Sequence, residues 1–340
     1  MELFLQILGA LILGVILIIL GLYLYMRIKL GKYANEDTSK DMTPLLIHLN
    51  EEIMPDWISK KNALKIEKEL INSGFSPDKN YTIVEMDGVQ LKAFFNPPYT
   101  AVMYTHPIAG LWVDMVANVD NGIEYTVSNA PMGGEMDTPP NTEKHWLKDL
   151  TASELFLKLK ELVGTQTINA LDTVVFRDYF EDVYKREMQW KNKNGGTNFE
   201  EFVRIAEHDK ANYNEKEVLE GFRETKRLEL LKWHDGALEE YKKKENIPEN
   251  DCYDILEYLF IVPSKTDPIG FIRYLGDMYY LTDEQAEKLE EKYSENIDLD
   301  INTLFKEINE SFSSQLRAVK KADIDYPIAI EIYEMPKRKY

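Results

Sequence analysis

An uninterrupted apolar stretch near the start of the chain constrains its fold more than any other feature. Residues 3–26 contain no charged side chain and one amide, Gln6. As a helix this stretch would extend roughly 36 Å, enough to cross a hydrocarbon core of ~30 Å with some tilt. Because a single helix satisfies its own backbone hydrogen bonds in lipid, the stretch predicts a transmembrane helix.

A cleaved signal peptide is the alternative interpretation of this stretch. Signal peptides carry a basic n-region, an apolar core of about 7–15 residues and a cleavage site of small residues. Here Met1 and Glu2 supply no positive side chain, and Tyr23 and Tyr25 stand where small residues would be needed. We therefore favour a retained membrane anchor.

The flanking charges predict how the anchor is oriented. Arg27, Lys29 and Lys32 follow the apolar stretch, and no Lys or Arg precedes it. By the positive-inside rule, the N-terminal stub of residues 1–2 is extracytoplasmic and the bulk of the chain is cytoplasmic. The expected location is the cell (inner or plasma) membrane, single-pass, with residues 27–43 as a basic and polar juxtamembrane linker.

Small residues recur along one stripe of the predicted transmembrane helix. Ala10 and Gly14 form a small-xxx-small pair, and Gly21 continues the stripe. Such stripes allow two helix backbones to approach closely, so we expect self-association or a protein partner in the bilayer. The alternative is that Gly is simply common in membrane helices.

Charge and cysteine content restrict the partners of the rest of the chain. The net charge is −19, and the first 33 residues contribute +2, so residues 34–340 carry −21. This balance argues against nucleic acid as a partner, because phosphate contacts need many Lys and Arg side chains. The single cysteine, Cys252, allows no internal disulfide and fits a reducing compartment.

Hydrophobic patterning predicts an α+β domain over residues 44–190. Residues 44–58 and 59–74 have helical spacing, and Thr151 with Glu154 forms a capping box ahead of a further helix. A helix is also predicted over residues 169–190. Short β-rich runs joined by turns predict an antiparallel meander at residues 81–86, 89–95, 100–106, 110–119 and 123–129. The Gly- and Pro-rich residues 130–142 predict an irregular loop.

Residues 197–340 predict a second, mainly helical domain with a short C-terminal strand. The Lys- and Gly-rich residues 191–196 mark the boundary, and Thr197 is the expected N-cap of the next helix. The predicted helices span residues 215–245, 251–261, 267–280 and 300–321, and Thr282 with Gln285 caps another. The strand is expected within residues 326–335.

Several strong catalytic signatures are absent from the sequence. There is no H-E-x-x-H or C-x-x-C, no G-x-x-x-x-G-K-[ST] and no G-x-S-x-G. These absences remove the common zinc, P-loop and nucleophile-elbow classes. We therefore expect no cofactor and no metal, and we assign no catalytic residue.

Two pairs of glycines and two His-Asp dipeptides are weaker candidates. Gly133-Gly134 and Gly195-Gly196 are candidate anion-binding loops, although a linker turn followed by an ordinary N-cap is the favoured interpretation because no Lys or Arg lies in the first turn of the helix after Gly196. The dipeptides His208-Asp209 and His234-Asp235 suggest a metal-dependent phosphohydrolase. Their strongly solvated surroundings favour chance occurrence in an acidic, helical chain.

A third constellation lies in the predicted sheet. His106, Trp112 and Asp114 fall on neighbouring strands, and His145 follows the Gly- and Pro-rich loop. Strand alternation places Trp112 and Asp114 on one face, which predicts either a pocket or a partner-binding surface.

These features favour a membrane-anchored cytoplasmic interaction or regulatory protein, a subunit of a membrane-associated complex without evident catalytic activity. The alternative is a membrane-tethered hydrolase, such as a metal-dependent phosphohydrolase, whose site one sequence does not reveal.

Overall fold

The computed structural model describes most of the chain beyond the predicted anchor. Described are residues 44–335 except 54, 108, 121, 170–175, 209–213, 252–254, 296–298, 312–316 and 326–327. The predicted transmembrane helix, its Ala10, Gly14 and Gly21, and the linker 27–43 lie outside these residues, as do Asp209 and Cys252. No helix in the described part combines the length and apolar character needed to cross a bilayer.

The described residues form a mixed fold of helices and strands with a large, mostly antiparallel sheet. The large sheet contains eight strands, and a second sheet contains three. The strands are β1 (Leu49–Glu52), β2 (Ser76–Ile83), β3 (Gln90–Asn96), β4 (Tyr99–His106), β5 (Gly110–Val119), β6 (Glu124–Ser128), β7 (Thr142–Trp146), β8 (Ile168–Asn169), β9 (Leu259–Pro263), β10 (Val319–Asp325) and β11 (Ala329–Glu334). The eight α-helices of the described residues are α1 (Lys60–Asn72), α2 (Ala152–Val163), α3 (Phe176–Lys193), α4 (Phe199–His208), α5 (Glu215–Glu245), α6 (Pro268–Asp277), α7 (Asp283–Tyr293) and α8 (Ile301–Ser311).

The large sheet runs in chain order from β1 to β7, and β8 pairs with the end of β5. The predicted strands of the meander are present, each pairing antiparallel with the next. The prediction did not include the last strand, β7, which overlaps the predicted irregular loop 130–142 only at Thr142 and joins β6 in parallel. The long loop 129–141 makes this possible, since a parallel neighbour needs a connection that returns along the sheet.

The first predicted helix, residues 44–58, was also wrong. Within this segment Leu49–Glu52 form the edge strand β1, in which Leu49 faces Ile83 of β2. Ile53 is 91% exposed, so the supposed apolar stripe is not buried as a unit. The helical spacing of apolar residues does not produce a helix here, because no neighbouring element among the described residues buries that stripe as a unit. Hydrogen bonding to β2 instead favours a strand.

Helices α1 and α2 cover one face of the large sheet. Phe94, Met103 and Met115 pack beneath Leu70 and Leu155, and all are fully buried. The predicted capping box is present, with Thr151 Oγ1 accepting from the Glu154 N–H and the Glu154 carboxylate accepting from the Thr151 N–H.

Helix α3 covers the opposite face; its described part begins at Phe176, and Asn169, the first residue of the predicted helix, lies in β8. Phe176 and Phe180 stack among the aromatic side chains Tyr81, Phe95 and Tyr104 of the sheet. Further along α3, Tyr184 and Glu187 add polar groups beside the apolar Val183 on the side that faces the sheet. This change of character defines the site described below.

The C-terminal part contains more strand than predicted. Strands β10, β11 and β9 form a second antiparallel sheet, which packs with the long helix α5 and helices α6–α8. The expected helices at residues 251–261 and 300–321 therefore end in strands β9 and β10. The unit from Pro44 onward is not divided further by its contacts, and two separate soluble domains stay a prediction.

Candidate functional site

Polar side chains line the face of the large sheet beneath α3. Along β5 the residues facing α1 and α2 are apolar, whereas Asp114 and Asn118 point to the α3 side. The register places Asp114 opposite Ser128, and Asn118 opposite Glu124. Because alternate residues share a face, two acidic positions lie on the same side of adjacent strands.

These side chains surround a cavity of about 220 Å³, which we call the sheet cavity. It lies between strands β4–β7 and helix α3. Its lining consists of Thr100, Val102, Tyr104, Asp114, Val116, Asn118, Glu124, Thr126, Lys144, Phe176, Tyr179, Phe180, Val183, Tyr184 and Glu187. This volume is below the roughly 300–1,000 Å³ of sites for drug-sized ligands, so the cavity suits a small molecule.

Asp114 is the most perturbed carboxyl group of the cavity. Ser128 Oγ donates a hydrogen bond to Asp114 Oδ1 at 2.5 Å, and Ser128 Oγ accepts from the Ala130 N–H at 3.0 Å. Burial raises the pKa of Asp114 to about 6, although the Ser128 hydrogen bond and the Lys144 charge act to lower it. Removal from water disfavours the charged form more than these contacts favour it.

Glu124 occupies the other acidic position of the cavity. Tyr179 Oη donates to Glu124 Oε2 at 3.2 Å, and Asn118 Nδ2 donates to Tyr179 Oη at 2.6 Å. Burial raises the pKa of Glu124 as well, with Lys144 lowering it. This chain of three residues connects β5, β6 and α3.

Lys144 and Glu187 compensate each other across the cavity. Lys144 Nζ donates to Glu187 Oε1 at 2.8 Å, which ties β7 to α3. With these two charges cancelled, the lining carries a charge of −2 from Asp114 and Glu124 when both are ionised.

A second, larger cavity of about 470 Å³ adjoins the first, and we call it the loop cavity. It extends under residues 139–142 and along the end of α3, where Arg186 and Trp190 contribute to its wall. The two cavities share the side chains of Asn118, Glu124, Tyr179, Val183 and Glu187. The hydrogen-bonded trio around Tyr179 therefore lies between them.

The structure brings together three of the four residues that the sequence proposed for a pocket. The register pairs His106 with Gly110, Tyr104 with Trp112, and Val102 with Asp114, so His106, Trp112 and Asp114 share the α3 face. Trp112 stacks on Tyr104 with 4.8 Å between ring centres.

The fourth residue of that constellation, His145, lies on the other face. It pairs with the buried Val127 of β6, whereas its neighbour Lys144 lines the sheet cavity. His145 Nε2 contacts Glu143 Oε1 at 2.9 Å instead.

The His-Asp dipeptides have internal contacts in the structure. His234 is 8% exposed, and its ring nitrogens lie 3.2 Å from Asp235 Oδ1 and 3.2 Å from the Leu259 carbonyl oxygen. His208 Nε2 lies 2.5 Å from Lys148 Nζ. Across the described residues, no group of three or more His, Cys, Asp or Glu side chains is arranged to hold a metal ion.

Each glycine pair packs against a side chain of the same chain. Gly133 and Gly134 lie flat on Trp146, whose ring would be 2.9 Å from a Cβ at either position. Beside Gly196, the Glu229 carboxylate accepts from the Thr197 N–H at 3.0 Å. The loop before α4 thus binds an anion, and that anion is the chain's own Glu229.

Chemically, the sheet cavity offers two carboxyl groups, hydroxyl groups and aromatic rings beside one compensated ion pair. Sequence reasoning found Asp114 but missed Glu124, Lys144 and Tyr179, which come from three other elements. Polar residues at alternate positions of β5, followed by a helix with an aromatic stripe, are the signal that would have indicated them. No protein-family model, curated protein or solved structure matches this chain.

Proposed function

We propose that this protein is a membrane-anchored regulatory protein of the cytoplasm that acts by binding, as a subunit of a membrane-associated complex. The observation that carries the proposal is the sheet cavity, a small volume with both polar and apolar lining that is covered by the single helix α3. An occupant would touch α3 and the sheet together, so its binding would alter how firmly α3 is held. A binding event could thereby be passed to a partner.

The anchor supplies the other half of this proposal. Residues 3–26 cross the bilayer once, N-out and C-in, and Arg27, Lys29 and Lys32 meet its cytoplasmic surface. Ala10, Gly14 and Gly21 form the contact stripe for a partner helix or a second copy. The acidic body remains in the cytoplasm and does not bind nucleic acid.

Detergent extraction of the full chain after crosslinking in its membrane tests this proposal. We expect a defined partner, or a second copy, to be recovered with the unmodified chain and lost from the Ala10→Leu/Gly14→Leu variant. As a control, Ile12→Phe and Ile19→Phe add bulk to the opposite side of the helix and should retain the partner.

Two outcomes would contradict the proposal. One is a full chain that is water-soluble without detergent. The other is digestion of residues 44–340 by protease added outside sealed cells, because that would place the body on the wrong side of the bilayer.

The alternative function is a membrane-tethered hydrolase, and the pKa of Asp114 favours it. A carboxyl group with a pKa of about 6 in a cavity has the protonation range of a general acid or base. A panel of ester and phosphate substrates tests it. Turnover by the unmodified chain that disappears in Asp114→Asn would favour the hydrolase over the regulatory protein.

A further inference from the structure

The charge of the sheet cavity indicates what kind of molecule it accepts. Lys144 is already paired with Glu187 at 2.8 Å, so an anion would have to displace Glu187 to reach the ammonium group. Asp114 accepts hydrogen bonds from the Ser128 hydroxyl group and the Trp112 side chain, and Glu124 accepts one from the Tyr179 hydroxyl group. These donors are neutral, and the nearby charge of Lys144 is paired with Glu187. A dication would neutralise the two carboxylates together.

A buried hydroxyl group independently points to a missing partner. Thr126 is 6% exposed, and its side chain lines the sheet cavity between the two acidic positions. Among the described residues, Thr126 Oγ1 has no hydrogen-bond partner. Buried hydroxyl groups are normally satisfied, so an ammonium group placed between Thr126 and one of the neighbouring carboxylates would supply the missing contact.

Strand geometry indicates the length of this ligand. Asp114 lies opposite Ser128, and Glu124 lies four residues before Ser128 on β6. At ~3.4 Å per residue, the Cα atoms of Asp114 and Glu124 are about 14 Å apart. Both side chains line the sheet cavity, so a ligand that meets both must hold its two charged groups apart along the strands, as an alkyl diamine does.

Apolar and aromatic groups cover the space between the carboxylates. Val116 lies on the cavity floor, and Phe180 and Val183 of α3 lie above it. Alkyl carbon atoms would pack against these groups, and ammonium groups are attracted to aromatic faces.

We propose that the sheet cavity binds a small aliphatic diamine, with one ammonium group at Asp114 and the other at Glu124. This inference rests on the proposed function, because it identifies the ligand class of the regulatory cavity. Isothermal titration calorimetry of the full chain in detergent micelles, with putrescine as the probe, tests it.

The matched probe is butanediol, which replaces both ammonium groups by hydroxyl groups and requires no change to the protein. Since each charge-assisted hydrogen bond is stronger than a neutral one, putrescine should bind at least about tenfold more tightly. Equal binding of the two probes would overturn the inference. Tighter binding of the dianion malonate than of putrescine would also overturn it.

Two substitutions locate the site. Asp114→Asn and Glu124→Gln keep the side-chain shape and should each weaken putrescine binding by about tenfold or more. The control Glu161→Gln removes an exposed carboxylate of α2, and should change the affinity less than about twofold. An equal loss in the control would contradict the site, and thermal melting establishes that each variant is folded.

The outcome separates the inference from the function on which it rests. A chain that recovers its membrane partner but does not bind putrescine contradicts the diamine alone. A chain that binds putrescine at Asp114 and Glu124, yet is water-soluble or lies outside the cell, contradicts the regulatory function and leaves the ligand class standing.

Discussion

The chain buries charged side chains in two regions and satisfies them differently. In the C-terminal part, Lys226 Nζ donates to Glu229 Oε2 and to the carbonyl oxygens of Gly195 and Thr197, all within 2.8 Å. In the sheet cavity, Asp114 and Glu124 face open volume and each has a neutral donor. The first arrangement pairs the buried ammonium group with acceptors of the chain, whereas the second leaves two carboxylates beside a cavity.

This difference shows how buried charge can be used for stability or for binding. The ammonium group of Lys226 connects α5 to the loop before α4, because it donates hydrogen bonds to two carbonyl oxygens of that loop. The carboxylates of the cavity retain the cost of leaving water, since few contacts offset it. We therefore expect substitutions at the two regions to change the free energy of unfolding in opposite directions.

The largest expected effect is that of Lys226→Met. It leaves the Glu229 carboxylate buried with the Thr197 N–H as its remaining donor, so the free energy of unfolding should fall by about 3–5 kcal/mol. Urea denaturation at neutral pH measures it. The control Lys243→Met changes an exposed ion pair with Glu240 and should cost less than about 1 kcal/mol. Equal losses would remove the contrast between buried and exposed ammonium groups.

The second-largest expected effect concerns the close contact between Gly196, in the loop before α4, and the Glu229 carboxylate. Gly196 has a φ of +79°, and a Cβ there would collide with the Glu229 carboxylate. Gly196→Ala should therefore cost about 2–3 kcal/mol in the same denaturation assay. Gly122 has a φ of +83° but open space around it, so Gly122→Ala should cost about 1 kcal/mol from backbone strain alone. If Gly196→Ala and Gly122→Ala lowered the free energy of unfolding equally, the Glu229 side chain would be free to move away from a Cβ at residue 196.

Asp114→Asn should instead stabilise the protein, by about 2 kcal/mol at pH 8. The folded protein holds this proton more tightly than the unfolded chain, so Asp114 costs stability as the pH rises from about 4 through 6. Tyr104, Ser128, Lys144 and Glu187 face it from the packed elements and are unchanged in the variant.

Denaturation at two pH values checks the sign of this effect. The increase in the free energy of unfolding caused by Asp114→Asn should fall below about 1 kcal/mol at pH 4. At that pH the Asp114 side chain is protonated in the folded protein, so it is neutral like the asparagine that replaces it. The exposed Glu161→Gln serves as the control, with a small difference at both pH values. Destabilisation at pH 8 would mean that the carboxylate is satisfied, as Glu229 is.

The smallest effect concerns the donor to Asp114. Ser128→Ala removes the hydrogen bond that lowers the pKa of Asp114, so that pKa should rise further in a carboxyl NMR titration. Stability should fall by about 1 kcal/mol, because the Ala130 N–H loses its acceptor as well. Ser294→Ala, which removes an exposed hydroxyl group, should leave that pKa unchanged. If the pKa of Asp114 did not rise in Ser128→Ala, the hydrogen bond from Ser128 would not control it.

The helices were the most predictable part of the fold, because their signals are local. The capping boxes at Thr151 and Thr282 are present, and α5 spans the predicted residues 215–245. The start of α4 was misassigned by one residue, since Asn198, and not Thr197, accepts from the Glu201 N–H. Adjacent polar residues compete for the cap, and the sequence alone does not decide between them.

The misassigned strands share a different cause. β1, β9 and β10 each pair with a segment distant in the chain or lie at a sheet edge, and short apolar runs fit either a helix or a strand. Leu259–Pro263 is buried along its whole length, so it shows no alternation. Parallel pairing of β7 likewise depends on a long loop and not on the strand's own residues.

The site was predictable only where its residues share one strand. Trp112 and Asp114 were placed on a common face from their spacing, and the register agrees. Glu124, Lys144 and Glu187 reach the same cavity from β6, β7 and α3, and nothing local connects them. His145 lies on the other face because the register of β7 pairs it with Val127, and nothing in the local sequence sets that register.

The stack of Trp112 on Tyr104 has a practical consequence. Asp114 hydrogen-bonds with the Trp112 side chain, and Trp190 lines the neighbouring loop cavity. Indole fluorescence depends on the polarity and charge of its surroundings, so the protein contains an optical reporter at each cavity. Filling one cavity or the other should produce distinguishable emission changes in single-tryptophan variants, without any attached dye.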